Sequence, residues 1–128
     1  MMEPDKQKSK TILVIEDEPD VAESLEAKLR LEGYAVQLAS DGEAGVEKAR
    51  AVKPDLILMD LMMPKLNGAE ACKILKEHPQ TKNIPIIVLT ASQKVESVEL
   101  SFVVGADDFL NKPYTNDLLL QKIKKHLP

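Results

Sequence analysis

Residues Ile57–Gly68 read ILMDLMMPKLNG, and this stretch decides the fold. It begins as an apolar run without alternation, the pattern of a strand buried on both faces. It ends in Pro64, Asn67 and Gly68, residues that favour turns. Asp60 stands at the junction. A carboxylate where a buried strand stops is costly unless something compensates its charge.

The same arrangement recurs on either side. Ile12–Ile15 is a short β-branched run followed by Glu16, Asp17, Glu18 and Pro19. Pro19 suits the first position of a helix, Val21, Ala22, Leu25 and Leu29 follow at helical spacing, and Gly33 ends it. Tyr34–Leu38 reads as a second strand. Ser40 and Glu43 have the spacing of a capping box for a second helix. Asp55–Met59 is the third strand and Asn67–His78 the third helix. Ile84–Leu89 is the most apolar strand, residues 93–104 read as a further helix, Asp108–Leu110 is a short strand, and Thr115 caps a final helix through Leu127. Strands alternating with helices imply an α/β fold, a doubly wound five-stranded parallel sheet with five helices on its two faces. Such sheets bind ligands beyond the carboxyl ends of their strands.

Composition narrows the function classes. A chain of 128 residues suits one domain, here 11–128, preceded by a polar, lysine-rich tail over residues 1–10. Net charge is −4, which gives no electrostatic case for direct nucleic-acid binding, and aromatics at 3% offer little base-stacking surface. No apolar run has the length of a membrane span, and Cys72 is the one cysteine, so no internal disulfide can form. A cytoplasmic location is expected.

The strand ends gather one chemistry. Glu16, Asp17 and Glu18 follow the first strand, Asp60 ends the third, Thr90, Ala91 and Ser92 follow the fourth, and Lys112 and Pro113 follow the fifth. Clustered carboxylates repel one another unless a cation intervenes. Mg²⁺ suits an all-oxygen set, here Glu16, Asp17, Asp60 and a loop carbonyl such as that of Met62. With Lys112 opposite, this is a seat for a phosphoryl group, with Asp60 as nucleophile forming an aspartyl phosphate. Each residue also has an ordinary reading: Asp17 and Glu18 as helix caps, Asp60 as a loop starter, Thr90 as a β-branched strand residue, Lys112 as a solvated lysine.

The stretches ILVIEDEPD, DLILMDLMMPKLNG, PIIVLTA and GADDFLNKPY carry a resemblance over about residues 11–127. In this order and spacing the chain resembles the receiver domains of bacterial two-component response regulators, and is similar to single-domain chemotaxis-type receivers. The resemblance implies a flavodoxin-like sheet of order 2-1-3-4-5. It implies that Asp60 accepts phosphate from a histidine kinase or phosphotransfer protein. Glu16 and Asp17 would hold Mg²⁺ or Mn²⁺ with Asp60, while Thr90, Ala91 and Lys112 would receive the phosphoryl oxygens. Phe109 would be the aromatic switch, and the Lys112–Pro113 peptide would be cis. It implies a signalling switch, not a conventional enzyme, whose partner is a downstream protein or a second copy. Three departures stand out: Glu16 where Asp is usual, Phe109 without a hydroxyl, and apolar Met62 two residues after Asp60.

Over residues 93–104, Val95, Val98 and Phe102 form one apolar stripe, and Leu100, Val103 and Val104 form a second that suits a partner interface. Cys72 reads as packing, and His78 and His126 as surface residues. A pseudo-receiver that binds partners without phosphate is the main rival. A hydrolase lacks chain for a substrate-selecting cap, and a flavin carrier lacks the phosphate loop and the aromatics.

Overall fold

Ile12, Leu13, Val14 and Ile15 are all but removed from solvent, so β1 (Thr11–Ile15) is covered on both faces. In the computed structural model the described residues are 10–60, 68–90 and 105–127. Around β1 stand β2 (Ala35–Ala39), β3 (Leu56–Asp60), β4 (Ile86–Thr90) and β5 (Asp108–Asn111) in the order β2-β1-β3-β4-β5, every pair parallel. The helices described are α1 (Pro19–Leu31), α2 (Gly42–Val52), α3 (Gly68–Glu77) and α4 (Asn116–His126). The helix expected over 93–104 lies outside the described residues, as does most of the tail.

Strand alternation sorts the core into two layers. Leu13, Ile15, Ile57, Met59, Ile86 and Val88 pack on one face with Ala49 of α2 and Cys72 and Leu75 of α3. Ile12, Val14, Leu56, Leu58, Ile87 and Leu89 pack on the other with Leu25 and Leu29 of α1 and Leu119 and Ile123 of α4. The unbroken apolar strands are therefore the requirement of a sheet with helices on both sides.

Two boundaries bear on the site. β3 extends to Asp60, which is in register with Leu89 of β4, so this aspartate belongs to the sheet and not to the loop after it. The cap of α2 is Asp41, not Ser40: its side chain accepts the Ala44 N–H at 2.8 Å. A helix that begins at Gly42 puts Asp41, with its extended backbone, at the flanking position where a side-chain oxygen reaches the free N–H groups. Glu18 flanks α1 but makes no side-chain cap, and Pro19 opens the helix. Thr115 caps α4 through the Leu118 N–H at 3.1 Å.

The amino edge of the sheet is fastened by two aspartates. Asp55 accepts the Thr11 N–H at 2.8 Å, and Asp107 accepts the Ile86 N–H at 2.8 Å while pairing with Lys76 at 2.9 Å. Asp107 thus holds β5's approach to β4.

Helix α2 comes close to β1 at Gly45, where an added Cβ would stand 2.5 Å from the Ile15 Cδ1. Alanine gains up to about 1 kcal/mol of helix propensity over glycine. Overpacking against buried Ile15 costs about 1–3 kcal/mol. Gly45→Ala is expected to lower stability by about 1 kcal/mol in urea unfolding.

Candidate functional site

The carboxyl edge collects its charges through the sheet itself. The Glu16 N–H donates to the Ala39 carbonyl at 3.0 Å, which extends the β1–β2 ladder one residue beyond β1 and fixes where the Glu16 side chain starts. That residue is 3% exposed and Asp60 is 7% exposed, while Asp17 is half-buried. One carboxylate oxygen from each of the three lies within 4.8 Å of the others. Lys112, just past β5, places its Nζ 3.6 Å from Glu16 Oε1 and 3.7 Å from Asp60 Oδ2. The Lys112–Pro113 peptide is cis.

These ion-pair distances exceed those of ordinary hydrogen bonds. Glu16 Oε2 accepts the Glu18 N–H at 3.2 Å, but Oε1 is buried with no hydrogen-bond partner. A buried carboxylate oxygen left in that state is expensive. Burial accordingly pushes the Glu16 carboxyl up to about 7; the Glu18 N–H opposes this, the Asp60 and Asp17 charges add to it, and Lys112 subtracts. An oxygen-only donor set with an orphaned buried oxygen fits a hard divalent cation such as Mg²⁺, which would relieve both the desolvation and the repulsion. Beside the acids opens a hollow of about 280 Å³, bounded by Glu16, Asp17, Pro19, Leu38 and Ser40.

Thr90 closes β4, its backbone in register with Asn111 at the same edge; its side chain lies outside what is described. Met62 and Ala91 lie outside the described residues, as do Leu100, Val103 and Val104. Phe109 is the second residue of β5 and packs, partly buried, on the α2–α3 face of the core.

Tyr114 is a neighbour of the acids that no sequence motif marks. It is partly buried, and its phenol is held above the ordinary range first by burial and then by the Glu16 and Asp60 charges, so it borders the acids. Its only sequence signal is its place next to Pro113. His126, read as a surface residue, is instead bound: its Nε2 lies 2.9 Å from Asp108 Oδ2, and Lys122 Nζ lies 2.9 Å from Oδ1. Burial would raise the Asp108 carboxyl, but the hydrogen bonds from Lys122, His126 and the Phe109 N–H prevail and lower it to about 2. His78 meets Arg50 at 2.7 Å. Cys72 is buried packing, as expected, and burial pushes its thiol up to about 11.

The chain matches the response regulator receiver domain over residues 12–124. The chain belongs to this family. It is 43% identical over 107 residues to the alkaline phosphatase synthesis transcriptional regulatory protein PhoP of Bacillus subtilis, an alignment covering 84% of this chain and 44% of that protein. It is 37% identical over 113 residues to the DNA-binding dual master transcriptional regulator RpaA of Synechocystis, covering 88% of this chain and 47% of that one. The receiver thus spans about half the length of the curated relatives it matches. Among solved structures, the receiver domain of a sensor histidine kinase from Pseudomonas aeruginosa PAO1, with a magnesium ion coordinated in its active-site cleft, superposes with a TM-score of 0.86 at 33% identity, covering 92% of this chain and 97% of that one. The expectation of no direct nucleic-acid partner conflicts with relatives that are named DNA-binding regulators, and is withdrawn. Among the described residues no helix is long and apolar enough to cross a membrane.

Glu16 gives the receiver a pH signature. Its carboxyl is raised from 4.5 to about 7, so the folded state holds a proton that the unfolded state has lost. Stability is therefore greatest below pH 4.5 as far as this group is concerned, and falls as pH rises towards 7. Without divalent cations, Glu16→Gln is expected to unfold at higher urea than wild type at pH 8, by roughly 1–3 kcal/mol, and to lose that advantage near pH 4.5. Parallel urea titrations at the two pH values check this.

Proposed function

We propose that this receiver is a phosphorylation switch in which Asp60 accepts a phosphoryl group from a phosphohistidine on a histidine kinase or phosphotransfer protein. The observation that carries the reading is the clustering of Glu16, Asp17 and Asp60 within 4.8 Å, with the Lys112 ammonium 3.7 Å from Asp60 Oδ2. The family supports it, and the magnesium in the Pseudomonas receiver supports the metal assignment.

Glu16, Asp17 and Asp60 would hold Mg²⁺ or Mn²⁺, with the Met62 carbonyl as a further oxygen. Bound there, the ion would neutralise phosphoryl oxygens as charge develops on them. An Asp60 carboxylate oxygen attacks phosphorus; the bond from phosphorus to the donor's imidazole nitrogen breaks, and its electron pair stays with that nitrogen, which takes a proton. Lys112 makes no hydrogen bond at its present distances from Glu16 and Asp60, so its ammonium is ready for a phosphoryl oxygen. Thr90 and the Ala91 N–H would take another. Attack of water on the same phosphorus would break its bond to the Asp60 oxygen, release inorganic phosphate with the water's proton passing to phosphate or solvent, and return Asp60 to its carboxylate. The receiver catalyses only these steps on itself, in the cytoplasm.

The output would be a shift between two surface states. Movement of Thr90 and rotation of Phe109 would reshape β5, α4 and residues 100–104 for a downstream protein or a second copy. Residues 11–128 would act as one receiver unit behind the tail of residues 1–10.

The test is incubation with Mg²⁺ and acetyl phosphate, read by intact mass. A gain of one phosphate in the wild type is expected, with no gain in Asp60→Asn and a strongly reduced gain in Lys112→Met. If acetyl phosphate and a promiscuous histidine kinase both leave the wild type unmodified, the phosphoacceptor reading fails in favour of a phosphate-independent binding module.

A further inference from the structure

β5 is the last strand of the sheet, so one of its sides is an edge. Leu110 packs into the layer under α1 and α4, and Phe109 into the opposite layer. Lys122 rises from α4 on the Leu110 side and reaches Asp108 Oδ1 at 2.9 Å. Its ammonium nevertheless stands 5.8 Å from the centroid of the Phe109 ring on the other side. Lys122 therefore brings its charge to the outer edge of β5, where a lysine also discourages pairing with a further strand.

The anchor is well fixed. Asp108 Oδ1 accepts the Phe109 N–H at 2.8 Å as well as the Lys122 ammonium, and Oδ2 is taken by His126 at 2.9 Å. Backbone and ring of Phe109 are thus referred to the same carboxylate, the backbone directly and the ring through the cation. A tyrosine could be held by its hydroxyl; a phenylalanine offers only its ring face, which attracts a cation within about 6 Å of the centroid.

We infer that Lys122 is a positioning residue for Phe109: its ammonium, anchored on Asp108, holds the ring in its resting orientation until phosphorylation displaces it. The inference rests on the proposed switching role of Phe109. Rotation of the ring must give up the cation, so the contact biases the receiver towards its unphosphorylated surface. A cation–ring contact at this distance, between two partly buried side chains, corresponds to a bias of about 2–5-fold. Arginine in place of Lys122 keeps a cation that stacks on aromatic faces, whereas methionine keeps the length and loses the charge.

The experiment uses the full chain. In NMR spectra of the wild type, the Lys122 ε-methylene protons are expected upfield of the other lysines, shifted by the ring below them. The shift should vanish in Phe109→Leu, which also distinguishes Phe109 signals from those of Phe102. Lys122→Met should move the Phe109 ring resonances and lower the acetyl phosphate concentration for half-modification of Asp60 by about 2–5-fold. Lys122→Arg should stay near wild type in both. An unshifted Lys122, or a Lys122→Met variant with wild-type ring resonances and half-modification, overturns the inference while leaving Asp60 as acceptor. A wild type that takes no phosphate overturns the phosphoacceptor reading, and with it the switching role of the contact, even where the ring shift is present.

Discussion

The Glu16 carboxylate is folded into a place that does not satisfy it, and the rest of the site follows from that conflict. One of its oxygens accepts the Glu18 N–H; the other is buried without a hydrogen bond, with Lys112 3.6 Å away. Asp60 and Asp17 add like charge at close range. Lys112 alone cannot neutralise three carboxylates, and its distances are those of a loose ion pair. Groups arranged in this way gain from a divalent cation and from a phosphoryl group whose oxygens span cation and lysine. Storing such strain at a functional edge is tolerable because the remainder of the sheet is so well covered.

The sheet enforces the conflict. Because all strands are parallel, their carboxyl ends lie along one edge, and the residues at or just past the ends of β1, β3 and β5 meet there. Glu16 is held by the ladder bond to Ala39, Asp60 by its register with Leu89, and Lys112 by its place after β5. The amino edge does the reverse: Asp55 and Asp107 spend their oxygens on the Thr11 and Ile86 N–H groups and stabilise strand entry. At the amino edge the aspartates hold strand N–H groups, whereas at the carboxyl edge the acids face one another and Lys112.

This division explains what was legible in the sequence. The strands were plain because Ile57–Met59 and Ile86–Leu89 are apolar without alternation, as a doubly covered sheet requires. Asp60, Glu16 and Lys112 could be picked out because parallel alternation fixes which chain positions share an edge. The Asp41 cap was masked by the competing spacing of Ser40 and Glu43; one residue of helix register decided between them. The Asp108–Lys122–His126 cluster was invisible for a different reason. Its members meet only because α4 lies back across β5 with one particular rotation, which no local pattern encodes. Tyr114 likewise borders the acids by virtue of the chain's path after Pro113, not of any spacing in the sequence.

A cation held by Glu16, Asp17 and Asp60 is expected to drive the proton off Glu16. Calorimetric titration of Mg²⁺ into the protein at pH 6, repeated in buffers of different ionisation heat, measures this directly. Binding with net release of close to one proton is expected, a release that disappears in Glu16→Gln and fades by pH 8. Binding with no proton release at pH 6, or no binding at all, would contradict it.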